Sequence, residues 1–230
     1  MKILALDSSA KSASVAITEN GKLVGEAFLN VGLTHSETLM PMIENICSGT
    51  KTLPADIDYY ALSIGPGSFT GIRIGAAAIK GMAQANETKC IPVSSLETIA
   101  YPYRDYNGLA CAVMDARCSQ VYCAVFRNGE RLTADRALLI DELISELKEY
   151  NEKTVFIGDG AALVYSKACD NLDCERAKPE NEFPRASSVA FLAEKNADKA
   201  VSSGEIVPVY LRLPQAQREL NNKKAKVDEK

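Results

Sequence analysis

Two short acidic segments have the residue types for phosphate or metal chemistry. Asp7-Ser8-Ser9 follows the apolar run Ile3–Leu6, and Asp115-Ala116-Arg117 follows Ala110–Met114. An aspartate at a strand end can hold Mg²⁺ through water, and the loop N–H groups beside it can face a phosphate. The same placement suits an aspartate that only closes a turn. Asp7-Ser8-Ser9 alone favours the turn. With a like segment at Asp115, a present or ancestral phosphate site becomes an equal alternative. Gly158-Asp159-Gly160 adds a glycine turn that either lets backbone approach a ligand or makes a tight bend before a helix. A nucleotide site built on these segments would use Asp7, Ser8, Ser9, Asp115, Gly158 and Gly160.

His35 is the only histidine. A His-x-x-x-His metal site needs a second one at position 39, which is Leu. No G-x-S-x-G elbow occurs, so a hydrolytic triad has no nucleophile motif. Thr34 and Glu37 form a capping-box pattern, which puts His35 in the first turn of a helix. A surface or interface histidine is expected there. Gly65-Pro66-Gly67-Ser68-Phe69-Thr70-Gly71 then feeds a helix over 72–85. That turn is a candidate anion site, although GxxxxGK[ST] is absent. The helix carries Ile72, Gly75, Ile79 and Met82 on one stripe. The preceding helix, over 36–46, offers Leu39, Met42 and Ile43. Such stripes either pack on their own sheet or dock a partner's matching helices. The docking reading takes His35, Leu39, Met42, Ile43, Ile72, Gly75, Ile79 and Met82 as interface residues.

The elements that must position these residues occur twice. Counted from Asp7 and from Asp115, Ala16 and Ala124 lie nine residues on, and Asn20-Gly21 and Asn128-Gly129 begin thirteen on. Each Asn-Gly signals a hairpin between two short β-rich runs. An amphipathic helix follows in each half, with Leu39, Met42, Ile43 and Ile46 in the first and Ile140, Leu143, Ile144 and Leu147 in the second. Each half then has a strand entering Ile-Gly-x-Gly, at Ile64–Gly67 and Ile157–Gly160. The spacing predicts a duplicated β-β-β-α-β-α unit: an α/β, two-lobed, actin-like (ribonuclease H-like) fold with a cleft between the lobes. The expected division is a first lobe over 1–103 and a second over 104–213, joined near Tyr101–Tyr106. A further helix near 187–198, N-capped by Ser187 or Ser188, is expected to pack back on lobe one. Residues 214–230 read as a polar tail. Pro41 should kink or interrupt its helix.

Composition narrows the function classes. The chain is 47% hydrophobic and 24% charged, with a net charge of −4. Lys and Arg form no cluster in the folded part, which disfavours nucleic-acid binding by this chain alone. A basic face shared with a partner stays open. Seven cysteines with no CxxC do not make a disulfide framework, and they point to a reducing, cytoplasmic setting. Cys118 and Cys123 read as small hydrophobes rather than a metal pair. Neither a signal peptide nor a membrane-length apolar run is present.

Several segments together resemble the TsaB (YeaZ) family. They are Leu6-Asp7-Ser8-Ser9, His35-Ser36-Glu37 with Leu39 and Pro41, Ser63 through Gly75, Asp115-Ala116-Arg117, and Pro208-Val209-Tyr210-Leu211-Arg212. The resemblance spans nearly the whole chain and is weakest around Cys118–Gln120. It implies a non-catalytic subunit that binds the catalytic paralogue TsaD through the two helices of lobe one, with the ATPase TsaE joining them. Such a complex makes N6-threonylcarbamoyladenosine at position 37 of tRNAs reading ANN codons. It also implies a homodimer when alone, tRNA contact only through the complex, no membrane association and no required cofactor, with room for weak ATP or ADP binding. An active actin-fold kinase or ATPase using Asp7 and Asp115 around Mg-ATP is the alternative, and a peptidase built on His35 is a third, weaker one.

Overall fold

The computed structural model describes residues 1–212. The first half runs β1 (Lys2–Asp7), β2 (Ala13–Glu19), β3 (Lys22–Leu29), α1 (His35–Thr50), β4 (Tyr59–Ser63), α2 (Phe69–Ala85), β5 (Lys89–Val93) and α3 (Ser95–Ala100). The second runs β6 (Leu109–Asp115), β7 (Gln120–Arg127), β8 (Glu130–Arg131), β9 (Arg136–Leu139), α4 (Ile140–Tyr150), β10 (Thr154–Ile157), α5 (Ala161–Ala168), β11 (Cys174–Arg176) and α6 (Ala186–Lys195). Sheet one has the order β3-β2-β1-β4-β5; sheet two has β11-β10-β6-β7-β8, with β9 also on β7. In each sheet the hairpin strands are antiparallel, as is β9 on β7, and the strands after the first long helix are parallel. This is the two-lobed actin-like architecture.

The hairpins turn where the sequence says. Asn20 and Gly21 have φ of 49° and 74°, and Asn128 and Gly129 have 49° and 76°. Two consecutive positive φ values match the right-handed twist of the flanking strands. The Ile-Gly-x-Gly segments also correspond: Gly65 and Gly158 adopt φ of 118° and 112°, a region side chains rarely enter.

The first unit is longer than the predicted β-β-β-α-β-α by β5 and α3, and the second by β9 and β11, besides the helix expected near 187–198. β5 and β11 were not legible. β11 has only three residues, and β5 contains Pro92, a residue tolerated at a sheet edge. The helix after each edge strand crosses to the other sheet. Leu96 and Ile99 of α3 pack with Ala110, Ala112 and Met114 of β6, whereas Val189 and Ala193 of α6 pack with Ile3, Ala5 and Ile91 of sheet one. The chain therefore passes to the second lobe before Ser95, ahead of the Tyr101–Tyr106 connector.

Two local expectations are corrected. α1 continues through Pro41, which lies on its exposed side. The Thr34 N–H donates to Glu37 Oε2 at 3.1 Å, fixing the first turn. α6 starts at Ala186 without a side-chain cap of its own. Its first amides donate instead to sheet one: Ala186 N to Ser14 Oγ (3.0 Å) and Ser187 N to Glu26 Oε1 (2.9 Å). A carboxylate at a helix N-terminus meets the positive end of the dipole, so Glu26 also ties the crossing helix to lobe one. The polar-tail assignment, 214–230, lies outside the described residues. No helix among those described is long and apolar enough to cross a membrane.

Candidate functional site

A cleft of about 620 Å³ opens between the lobes. Lobe one lines it with Ser9, Lys11, His35 and Phe69, lobe two with Asp115, Arg117 and Asp159, and the segment after α6 with Tyr210 and Arg212.

On lobe one the acidic loop is sealed. Asp7 is wholly buried. Its Oδ1 accepts from Ser9 N (2.9 Å) and Ser9 Oγ (3.0 Å). Burial pushes the carboxyl above its ordinary range, opposed by the Ser63 and Ser9 hydrogen bonds and by the charge of His35. Ser8 is buried and donates to Gly71 O at 2.9 Å. The glycine turn before α2 sits directly on this loop. A Cβ at Gly67 would lie 2.2 Å from Ser9 O, one at Gly71 2.1 Å from Ser8 O, and one at Gly75 2.3 Å from Ser8 Oγ. Ser68 N donates to Ser9 O at 2.7 Å, and Ser68 Oγ accepts from Gly71 N. Ser68 N and Gly71 N, two donors of the candidate anion turn, thus meet the protein's own oxygens, and the glycines of the turn are accounted for by packing.

On lobe two the equivalent loop is open. Asp115 keeps 35% of its side chain exposed. Its Oδ1 accepts from Arg117 N at 2.7 Å, and its own N–H donates to Asp159 Oδ1 at 3.1 Å. Burial raises the Asp159 carboxyl, the Asp115 N–H opposes that, and the Asp115 charge adds to it. Gly158 and Gly160 fold tightly over the end of β6, with would-be Cβ atoms 2.1 Å from Val113 O and 3.0 Å from Met114 C. Both glycines are explained by that approach.

Mg-nucleotide held through Asp7 does not fit these residues: it needs an accessible acid on lobe one, and Asp7, Ser8 and Ser9 are wholly buried.

The interface set also needs correction. Leu39, Ile72 and Ile79 are no more than 1% exposed, and Met42 and Ile43 are 5% exposed. With Gly75 they face sheet one, while Met82 packs at the edge of the same core. The apolar period found the core, because the apolar stripe of a surface helix typically faces its own sheet. His35 is in the cleft, its Nε2 3.1 Å from Ser12 O. The outward residues include Met40, Pro41 and Glu44 on α1, and Arg73, Ala77 and Gly81 on α2.

Sequence reasoning missed a cluster at the cleft rim. The Arg73 guanidinium lies 3.8 Å from the Phe69 ring centroid, and its Nε donates to Tyr210 Oη at 2.9 Å. The spacing of Phe69 and Arg73, one helical turn apart, was the available signal. Tyr210 is 137 residues from Arg73, beyond any local pattern.

A family model described as "TsaD: tRNA N6-adenosine threonylcarbamoyltransferase" matches residues 30–219. The Bacillus subtilis tRNA threonylcarbamoyladenosine biosynthesis protein TsaB is 31% identical over 94% of this chain and 96% of its own. The Escherichia coli protein of the same name is also 31% identical, over 97% of this chain and all of its own. In structure, YeaZ from Pseudomonas aeruginosa superposes with a TM-score of 0.75 at 24% identity, covering 91% of this chain and 99% of that one. With 31% identity over more than nine-tenths of the chain to two such relatives, the chain belongs to the TsaB (YeaZ) family.

Proposed function

We propose that this chain is a non-catalytic, cytoplasmic subunit of the assembly that forms N6-threonylcarbamoyladenosine at position 37 of tRNAs reading ANN codons. It pairs with a TsaD-like catalytic paralogue, a TsaE-like ATPase joins them, and tRNA is met only through the complex. Alone, the chain forms a homodimer. The observation that carries the non-catalytic reading is the sealed loop at Asp7–Ser9: a fold that handles nucleotide between its lobes has lost one of the two loops that would hold it. The kinase alternative requires that loop open.

The docking face is the outward side of α1 and α2. Small residues there, Ala77 and Gly81, let a partner helix come close, and nothing lies within 4 Å of a Cβ at Gly81. Sedimentation velocity of the chain alone and mixed with its TsaD counterpart tests this. A heteromeric species is expected. Ala77→Asp with Gly81→Asp should remove it while circular dichroism stays unchanged. No association at micromolar concentration, or Mg-dependent ATP binding abolished by Asp7→Asn, would overturn the reading.

A further inference from the structure

After α6 the chain returns across the mouth of the cleft. Ile206 is buried in the core of lobe one. Val209 N donates to Ile64 O at 2.8 Å, and Val209 O closes over Gly65, 2.5 Å from where a Cβ would stand. Tyr210 stacks on Phe69 with ring centroids 4.5 Å apart and takes the Arg73 hydrogen bond. Three residues after Val209 the chain is bound to the other lobe. Arg212 Nη1 donates to Ala116 O and, at 3.2 Å, to Arg117 O.

The loop it grips is strained. Arg117, Cys118 and Ser119 have φ of 67°, 55° and 58° in succession. Left-handed backbone crowds the Cβ of any L-residue, and non-glycine residues visit it singly, not in runs of three. Such a turn persists only where its surroundings hold it. Within lobe two it is held by Gln120 N to Arg117 O (3.2 Å), Ala116 N to Gln120 O (3.0 Å), Ile140 N to Ser119 O (3.2 Å) and Arg117 N to Asp115 Oδ1 (2.7 Å). Arg212 adds a charged donor on two of its carbonyls from the far side of the cleft.

We propose that Val209–Arg212 is an interlobe clasp, in which Arg212 holds the left-handed turn Arg117–Ser119 and with it the mouth of the cleft. Both ends of the clasp line that mouth. Release of Arg212 lets the turn relax to ordinary backbone and frees lobe two from the rim of lobe one. The lobe-one anchor, Arg73, stands on the outward side of α2, so a protein docked there acts on the clasp; that one consequence rests on the docking face proposed above.

The full chain without a partner tests the clasp. Arg117 is exposed, so trypsin reaches it once the turn opens. Arg212→Ala should speed cleavage after Arg117 at least tenfold and raise amide exchange across 116–120 by a similar factor, leaving β1, β4 and the thermal midpoint as they were. Tyr210→Ala should give the same local pattern, and Arg212→Lys, which keeps one donor, an intermediate one. Cleavage and exchange within twofold of the wild type in Arg212→Ala would overturn the proposal. A uniform rise in exchange over the whole chain would overturn it too, because Arg212 would then support global stability and not a clasp.

Discussion

The two lobes are built on one plan, yet their acidic loops have opposite fates. In lobe one, Gly67, Gly71 and Gly75 bring α2 against Ser8 and Ser9 and bury Asp7. In lobe two, the positions four and eight after Gly160 hold Val164 and Ala168, which pack into the hydrophobic core, and Asp115 stays partly open. Whether an acid at a strand end stays accessible is thus decided by the helix that follows the neighbouring strand. Glycine at two positions brings that helix within van der Waals contact of the loop.

The largest effect should come from a charge in the lobe-one stripe. Ile79→Asp places an unpaired carboxylate in the core and should cost roughly 4 kcal/mol or more. The far-ultraviolet spectrum should show an unfolded or barely folded chain; a native melt would mean the stripe is not core. Next come the glycines under the two loops. Gly71→Ala drives a methyl into Ser8 O, a backbone atom that cannot step aside, and should lower stability by about 2–3 kcal/mol in denaturant titration. Gly160→Ala meets Met114 at 3.0 Å and should cost about 1 kcal/mol. Equal costs would erase the proposed difference between the loops.

Asp7→Asn sharpens the same contrast through pH. Burial raises the folded-state pKa of Asp7. As pH rises, the unfolded chain releases this proton first, so the wild type loses stability from the unfolded pKa up to the folded one and no more beyond it. Asparagine has no such proton. The thermal midpoint of Asp7→Asn minus that of the wild type should grow as pH rises through this window and then level off; a flat difference would place the carboxyl in water, and a falling one would mean that its hydrogen bonds outweigh its burial. The smallest effect is expected on the open face of the same helix. Gly81→Ala has free space around it and should stabilise by roughly 0.5–1 kcal/mol, by removing glycine's extra unfolded-state freedom.

Much of the fold was legible because it rests on local physics. Asn20-Gly21 and Asn128-Gly129 admit positive φ, the helical stripes have a 3.6-residue period, and both signals survive without knowledge of contacts. The short edge strands left no such signal, since three residues of β11 or a strand containing Pro92 have no periodicity to read. For the candidate site, the residue types were visible and their availability was not. Asp7 and Asp115 look alike in one dimension. Leu39, Ile72 and Ile79 look as fit for a partner as for a core, because periodicity reports that a face is apolar and never what covers it.

The sequence by itself determined the duplication, the turns, the longer helices and the family, all of which depend on residue types at fixed spacing. Only the tertiary structure decided which acid is sealed, which helix face is free, how α3 and α6 exchange lobes, and that Tyr210 and Arg212 bridge them. Those outcomes depend on contacts between residues far apart in the chain: 63 positions for Ser8 and Gly71, 137 for Arg73 and Tyr210, 96 for Ala116 and Arg212. Contacts at that separation are fixed by how whole elements pack, which no local pattern encodes.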